Sequence, residues 1–420
     1  MRTALLLCLV ALDVGAQGRV FDRPCEFVSR RSSRGGVACG SLYAAFEFAP
    51  ASGVGMGAAC AGTTPTGVKG ETLTFSRASA RSCMKGSETT GIVAGDLVTL
   101  TSGQPAVMPG GNGTGGLGLS VWGGRTNLML FSALPSNAAW TKQASITVSA
   151  ADSNCPMAPD NSVRMDLVTF GGAGGVFQNL TVTASVPITN SVFLAMKSGG
   201  AACSLFVADS SIGTGTTYAV PASGISRFSD TQPSAAGTAL GGLYLYKGAN
   251  TCTDACVWGG QTESQASTAS PYIATTGTAV ARVAEVATFP NVPGLASTGS
   301  AASTILTDSV GGAIHIVTNA DLMFRVTAGL MRTGDSVNLV DVSTGTLSSQ
   351  VPKRFWTSWT GSALIVTNAT DSVSTSGTFR GTMGNPGPTG VVTVGGEAGR
   401  GPLNGVIKKV CIDSSPTRCR

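Results

Sequence analysis

From Glu71 onward the sequence consists of short segments in which apolar and polar residues alternate, and each ends at a glycine, asparagine, aspartate, serine or proline. Residues 72–79 show this pattern, and residues 144–149 and 204–208 repeat it. A period of two is typical of β-strands with one buried face, and such regular turn signals are typical of antiparallel sandwiches. No long amphipathic helical pattern interrupts the series. The sequence therefore predicts an all-β fold made of antiparallel β-sandwich, or jelly-roll, modules.

Charged residues make up only 12% of the 420 residues, whereas glycine alone accounts for 57. The polar surface must then consist mainly of hydroxyls and backbone groups, which suits turn-rich β-structure. The net charge of +5 is spread thinly and no run of basic residues exceeds two, so we expect no nucleic-acid partner. The length exceeds what one ordinary core needs and predicts more than one domain.

The first 16 residues have the layout of a secretory signal peptide. Arg2 supplies a basic start, residues 4–12 are apolar, and residues 14–16 are small, so we expect cleavage before Gln17 and a secreted, extracellular protein. No later apolar run reaches the roughly 20 residues of a membrane helix, and we expect no membrane span. Residues 17–70 form a region rich in glycine, alanine and cysteine.

The chain has 11 cysteines, and without Cys8 of the signal peptide ten remain. An even number in an oxidising compartment predicts disulfides throughout. Loop-closure entropy favours near neighbours. The predicted pairs are Cys25 with Cys39, Cys60 with Cys83, Cys155 with Cys203, Cys252 with Cys256, and Cys411 with Cys419.

The sequence contains no clear motif for catalysis or for cofactor binding. The single histidine, His315, lies in a strand-like segment and fits an ordinary sheet side chain better than a catalytic base. Residues 111–116 match a dinucleotide-binding glycine pattern, but a strand follows where that motif requires a helix. The carboxylates are scattered and do not show the jelly-roll glucanase arrangement on one strand, so the pair that glycoside hydrolysis needs would have to come from distant strands. We expect no catalytic residues, no cofactor and no metal, and hence no enzyme.

Five short motifs follow one another in an order that resembles a β-sandwich module of phage head-spike and tail-fibre proteins, which is itself similar to carbohydrate-binding modules. These motifs occupy residues 124–128, 137–142, 193–199, 258–261 and 270–275. Further along, residues 359–366, 394–396 and 402–410 resemble the C-terminal half of laminin G-like, concanavalin A-like jelly rolls. The resemblances imply a carbohydrate-binding-like sandwich over residues 71–288, a linker at 289–299 and a laminin G-like jelly roll over 300–420.

The resemblances and the hydroxyl-rich composition favour a glycan or cell-surface polymer as the partner. A sugar presents an apolar ring face to aromatic side chains and hydroxyls to polar groups. Trp122, Trp258 and Trp356 have apolar or glycine neighbours and are expected in the core, and Tyr244 and Tyr246 are further aromatic candidates.

Five residues are predicted to bind the ligand, and of these Trp140 and Trp359 lie beside polar residues and turns. The five are Trp140, Trp359, Tyr272, Asn137 and Asn404. The sequence thus predicts a secreted, non-catalytic binding protein of the adhesion or recognition type. The alternative is a structural spike, fibre or appendage subunit of a virion or extracellular assembly, which implies a homo-oligomer.

Overall fold

The computed structural model describes a discontinuous set of residues, and every regular element among them is a β-strand. The described residues are 42–47, 59–62, 73–87, 89–109, 117–143, 145–211, 215–233, 240–266, 268–289, 298–307, 311–316, 322–327, 329–334, 339–378, 392–395 and 403–413. The predicted signal peptide, Cys25, Cys39, Cys419 and most of the predicted linker lie outside this set. The expectation of an all-β fold is confirmed.

The strands are short and follow one another through the whole described chain. The first group is β1 (Leu42–Glu47), β2 (Thr74–Ser76), β3 (Arg81–Met84), β4 (Leu97–Leu100), β5 (Ala106–Pro109), β6 (Leu117–Val121), β7 (Arg125–Asn127), β8 (Thr141–Lys142), β9 (Ile146–Ser149) and β10 (Asp166–Phe170). The second group is β11 (Gly175–Phe177), β12 (Leu180–Thr181), β13 (Pro187–Ala195), β14 (Ser204–Asp209), β15 (Gly215–Ala219), β16 (Ser226–Pro233), β17 (Leu240–Gly241), β18 (Leu243–Tyr246), β19 (Asp254–Ser264), β20 (Val280–Arg282) and β21 (Val286–Phe289). The third group is β22 (Thr298–Thr307), β23 (Gly311–Ile316), β24 (Leu322–Thr327), β25 (Leu330–Gly334), β26 (Leu339–Ser343), β27 (Ser348–Thr360), β28 (Ala363–Asn368), β29 (Val373–Thr378), β30 (Val392–Val394) and β31 (Gly405–Asp413).

Two large antiparallel sheets enclose the core of the C-terminal part. One has eight strands in the order β29-β28-β27-β22-β31-β6-β5, with β1 also paired to β31, and the other has seven in the order β2-β21-β30-β23-β24-β25-β26. Phe355, Trp359, Leu364 and Ile407 of the first sheet and Met331 of the second are buried in this core. Strands from both sides of the predicted linker contribute to both sheets, and the division into modules there remains a prediction.

Two five-stranded sheets form the sandwich of the central part. We call β16-β13-β19-β10-β9 the middle sheet and β15-β14-β18-β11-β8 the outer sheet. Leu194 and Val257 of the middle sheet pack with Leu205, Val207 and Leu245 of the outer sheet in one buried cluster. The alternation of residues along each strand places these apolar side chains between the two layers.

The middle sheet is also covered on its second face. Phe193, Cys256 and Trp258 belong to a separate buried cluster with Ile92 and Met108, which come from the segment before β6. Strand β19 is accordingly buried from Asp254 to Glu263. A strand covered on both faces loses the alternation of apolar and polar residues, which explains the unbroken run of buried positions here.

A bulge in the middle sheet accounts for the Trp-Gly-Gly-Gln motif. In the pairing of β13 with β19 the register shifts between Ser191 and Phe193, opposite Gly259 and Gly260. Gly259 has a positive φ of 67°, and a Cβ there would lie 2.7 Å from Cδ2 of Phe193. Glycine at this position meets both the left-handed backbone and the close packing that the bulge requires.

Three disulfides join described residues, and two of them correct the predicted pairing. Cys60 is bonded to Cys83, as predicted. The predicted pairs Cys155 with Cys203 and Cys252 with Cys256 are wrong. The bonds are instead Cys155–Cys256 and Cys203–Cys252. The neighbouring positions of β10 and β19 in the middle sheet bring the loop before β10, with Cys155, to Cys256 of β19. Cys203 and Cys252 precede β14 and β19 and meet across 49 positions of the chain. Cys411 is also disulfide-bonded, and its predicted partner lies outside the described residues.

The described residues contain no helix that is long and apolar enough to cross a membrane.

Candidate functional site

The three aromatic residues predicted to bind a ligand are in the interior. Trp140 and Trp359 are each 1% exposed and Tyr272 is 2% exposed. The indole Nε1 of Trp140 donates to the Phe131 carbonyl at 3.1 Å, and the Tyr272 hydroxyl lies 2.7 Å from Ser132 Oγ. Rings enclosed in this way offer no face to a sugar, so the burial of Trp140, Trp359 and Tyr272 gives no support to a ligand-binding role for them. Trp122, Trp258 and Trp356 are buried as predicted.

The two predicted asparagines are half-buried and stabilise turns. Asn137 Oδ1 accepts a hydrogen bond from the Ala139 backbone N–H at 2.9 Å. Asn404 Oδ1 accepts one from Gly123 N–H at 2.8 Å, and Asn404 itself has a φ of +53° just before β31. Asparagine is favoured at such left-handed turn positions. These contacts provide a structural role for both side chains, and ligand binding by them stays a prediction.

Three of the five motifs that carry the phage-module resemblance, at residues 124–128, 258–261 and 270–275, meet at buried Asn127. Its amide Nδ2 donates to the carbonyls of Gly260 and Ile273 at 3.2 and 2.7 Å, and its Oδ1 accepts from Thr262 N–H at 3.1 Å. Gln261 Oε1 in turn accepts from Ile273 N–H at 2.7 Å. These motifs therefore join distant parts of the chain inside the fold.

The outer sheet carries a row of aromatic rings on the face that points away from the core. We call Phe177, Tyr244, Tyr246 and Phe206 the aromatic face, and all four are half-buried. The centroids of Phe177 and Tyr244 lie 5.4 Å apart, those of Tyr244 and Tyr246 lie 5.1 Å apart, and those of Tyr246 and Phe206 lie 6.1 Å apart. The row crosses three neighbouring strands, β11, β18 and β14.

Alternation along these strands explains why the rings are on this side. In β18 the sequence Leu-Tyr-Leu-Tyr is alternately buried and half-buried, with Leu243 and Leu245 in the core. Glycines flank the rings: a Cβ at Gly175 would lie 2.8 Å from Cε2 of Tyr244, and one at Gly248 would lie 2.9 Å from Cε1 of Tyr246. The absence of side chains at Gly175 and Gly248 lets the rings of Tyr244 and Tyr246 pack against the backbone at these positions.

The polar groups at the aromatic face are neutral. The Tyr244 hydroxyl donates to Gln143 Oε1 at 2.9 Å, and exposed Thr141 is paired with Phe177 at the end of the row. Partial burial raises the pKa of Tyr244, and the hydrogen bond to Gln143 opposes that rise. No carboxylate of the described residues is hydrogen-bonded to these rings. The face offers stacking surface, and its hydrogen bonds among the described residues are made by hydroxyl, amide and backbone groups.

No group of three or more histidine, cysteine or carboxylate side chains within the described ranges is placed to hold a metal ion. The side chain of His315, in β23, lies outside the described set.

The sequence did contain a signal for the aromatic face. Leu243–Tyr246 alternates strictly, and a two-residue period places both leucines on one face and both tyrosines on the other. Phe206 and Phe177 occupy the matching positions of β14 and β11, but their alignment with the tyrosines depends on the pairing of strands distant in the chain. That pairing cannot be read from any one segment.

No protein-family model matches this sequence, and no curated protein matches it. Among solved structures, the chain is similar to the N-terminal CBM22-1–CBM22-2 tandem domain of Xyn10C from Paenibacillus barcinonensis. The identity is 13%, the match covers 70% of this chain and 99% of that chain, and the TM-score is 0.26. It is also similar to domains LG4-5 of the mouse laminin alpha1 chain, with 11% identity, 55% and 84% covered, and a TM-score of 0.22. TM-scores this low carry no information about a ligand.

Proposed function

We propose that this protein binds glycans without modifying them, and that the aromatic face is the binding surface. The observation that carries the proposal is the position of Phe177, Tyr244, Tyr246 and Phe206 in one half-exposed row while all five tryptophans are buried. Sugar rings stack their C–H faces on aromatic rings, and their hydroxyls pair with neutral polar groups. Gln143 and the tyrosine hydroxyls supply such groups beside the rings.

The non-catalytic character of the proposal follows from the chemistry at this face. Hydrolysis of a glycosidic bond requires two carboxyl groups about 5–9.5 Å apart, on either side of that bond. The hydrogen bonds of Tyr244 and Gln143 involve only neutral partners. A surface with this composition holds a sugar and leaves its bonds intact.

The proposed setting is outside the cytoplasm. Three disulfides join described residues, and all six of these cysteines are buried or held in β-structure. Disulfides persist in oxidising compartments and are rare in reducing ones. Together with the signal-peptide pattern of residues 1–16, this supports secretion and a glycan ligand on a cell surface or in an extracellular polymer.

A glycan array with the wild-type protein and a Tyr244→Ala/Tyr246→Ala variant tests the proposal. Ile365→Ala is the control, because Ile365 is 43% exposed on β28, away from the outer sheet. We expect binding by the wild type and the control and loss of binding by the double variant, with unchanged thermal stability. A blank array, or binding that survives both tyrosine substitutions, would refute the proposal.

The structural alternative uses the same rings differently. An aromatic face could also pack against a second copy of the chain, as a spike, fibre or appendage subunit would require. Light scattering after size exclusion at two concentrations separates the two cases. Glycan binding through a free face predicts one mass at both concentrations. A larger mass that the Tyr244→Ala/Tyr246→Ala variant abolishes would assign the face to assembly instead.

A further inference from the structure

A concave site lies at the end of the middle sheet, and none of the residues that line it belongs to the aromatic face. It is a cleft of about 310 Å³. The loop between β9 and β10, the end of β13 and the loop between β15 and β16 form its walls. The residues that matter for its chemistry are Ser153, Asn154, Arg164, Met196, Ser198 and Ser223. The volume is at the lower end of the roughly 300–1,000 Å³ typical of small-ligand sites.

Hydroxyl groups dominate the polar lining. The side chains of Ser153, Ser198 and Ser223 make no hydrogen bond to any residue that the structure describes, so all three hydroxyls can pair with a ligand. Asn154 donates its Nδ2 to Asp152 at 2.9 Å, which fixes the amide. Met196 adds an apolar surface to the same cleft. Hydroxyls beside an apolar patch match the two-sided character of a sugar ring.

Arg164 is the only charged residue among those that line the cleft. One terminal nitrogen, Nη1, donates to the Cys155 carbonyl at 2.7 Å, and no carboxylate of the described residues forms an ion pair with this guanidinium. The other N–H groups remain available. A guanidinium presents its donors as a planar fork that matches both oxygens of a carboxylate.

The walls of the cleft are fixed before any ligand binds. The Cys155–Cys256 disulfide ties the first loop to β19. Ser198 N–H donates to the Asn154 carbonyl at 2.8 Å and joins this loop to the end of β13. The third loop is held at Ile225, whose N–H and C=O exchange hydrogen bonds of 2.9 Å with Ile92. Preorganised walls reduce the entropy lost on binding.

We propose that this cleft binds a carboxylate-bearing sugar residue, with Arg164 holding the carboxylate and the three serine hydroxyls contacting the ring hydroxyls. The inference rests on the proposed glycan-binding function and specifies the class of sugar. With a neutral sugar the free N–H groups of exposed Arg164 would stay paired with water or form single neutral hydrogen bonds, whereas a carboxylate would form charge-assisted bonds with both of its oxygens. The cleft therefore selects uronic or sialic acid units of a glycan.

Methyl NMR of the full chain tests the inference locally, because Met196 lines the cleft. Its methyl signal is identified by loss in Met196→Leu. The probes are glucuronate, galacturonate and N-acetylneuraminate, with glucose and galactose as neutral counterparts. We expect the Met196 signal to shift with at least one acidic sugar and with neither neutral sugar. Arg164→Gln should weaken that binding about tenfold or more, and Arg164→Lys should give an intermediate loss because charge remains without the fork.

The outcomes separate this inference from the proposed function. A Met196 signal that no acidic sugar moves, or one that moves equally in Arg164→Gln, overturns the inference even when the glycan array gives binding at the aromatic face. A blank array together with an unmoved signal overturns both. Because Arg164 is exposed, we expect both variants to keep the wild-type melting temperature, which shows that any loss arises in the cleft.

Discussion

The ring of Trp140 packs directly against the backbone of Gly260, where a Cβ would lie 2.7 Å from the ring atom Cη2. Trp140 comes from the turn before β8, and Gly260 lies in the bulge of β19. The Trp140 ring occupies the space beside the backbone of residue 260, and this space is free only because residue 260 is a glycine. This contact explains why two motifs so far apart in the chain occur together.

Gly260→Ala should lower the free energy of unfolding by about 1–3 kcal/mol, since the added methyl group overpacks a rigid buried ring. Gly277→Ala is the matched control, because a Cβ there would meet nothing closer than 3.6 Å. Urea unfolding of both variants provides the comparison. Equal free energies of unfolding for the two variants would show that the Trp140 ring can move aside without a loss of stability.

Glu285→Gln should destabilise the fold by about 3–5 kcal/mol, because it removes the negative charge from a buried cluster. Glu285 Oε1 lies 3.1 Å from Arg77 Nη1 and 2.7 Å from Arg81 Nη1, and Glu285 Oε2 accepts from Trp122 N–H at 2.9 Å.

The control for this change is Asp341→Asn. Asp341 pairs with Arg332 at 2.7 Å in a partly exposed ion pair, and such pairs contribute up to about 1 kcal/mol. If chemical denaturation gave similar losses of unfolding free energy for Glu285→Gln and Asp341→Asn, the stabilising role assigned to the buried cluster of Glu285, Arg77 and Arg81 would be wrong.

Peptide mapping without reduction should recover Cys155 linked to Cys256 and Cys203 linked to Cys252. Replacing both Cys155 and Cys256 by alanine should lower stability by about 2–5 kcal/mol, since the bond closes a long loop of the unfolded chain. Recovery of a peptide that joins Cys155 to Cys203 would contradict the strand pairing around the middle sheet.

Alkaline pH should weaken the fold through Tyr272. Burial raises the pKa of this hydroxyl above its ordinary value, although the hydrogen bond to Ser132 opposes the rise. The folded state then keeps a proton that the unfolded state releases above about pH 10. The contribution of the protonated Tyr272 hydroxyl to the free energy of unfolding is therefore complete below about pH 10 and falls as the pH rises further.

Unfolding measured between pH 9 and pH 11 (roughly the ordinary tyrosine pKa and one unit to either side) checks this expectation. The free energy of unfolding of Tyr272→Phe should fall less steeply with pH than that of the wild type. The variant also loses the hydrogen bond to Ser132, which lowers its stability at every pH. An identical slope in both proteins would place the alkaline sensitivity in other groups.

Acrylamide should quench the tryptophan emission of the native protein only weakly. All five indoles are at most 7% exposed, the largest value being that of Trp122. Addition of a glycan at the aromatic face should likewise leave this emission unchanged and alter tyrosine absorbance. Strong quenching in the folded state would contradict the burial of Trp140 and Trp359.

Sequence patterns predicted the fold class because alternation and turn residues are local properties. They did not predict which aromatic rings are exposed. Trp140 has polar neighbours in the chain, yet its environment is set by Gly260, which is distant in sequence. Conversely, the Leu-Tyr-Leu-Tyr pattern of β18 indicated a tyrosine pair on one face, and only the pairing with Phe206 and Phe177 made it a row.

The disulfide pairing likewise could not be predicted from local sequence patterns, because it depends on contacts between distant segments. Each doubling of a loop costs only about 0.6 kcal/mol more in closure entropy, so a preference for near neighbours is easily outweighed by sheet topology. Cys155 and Cys256 are separated by 101 positions and still meet, because Cys155 lies in the loop that leads into β10, and β10 lies beside β19, which contains Cys256. The pair Cys60–Cys83 was predictable since its separation is only 23.

The middle sheet shares its two faces between two apolar clusters, one with the outer sheet and one with the segment before β6. Loss of either neighbour would expose an entire apolar face of the middle sheet to water, which is costly in proportion to the area uncovered. These three layers should consequently melt in one cooperative transition. A glycan held on the outermost layer would then raise the melting temperature of all three.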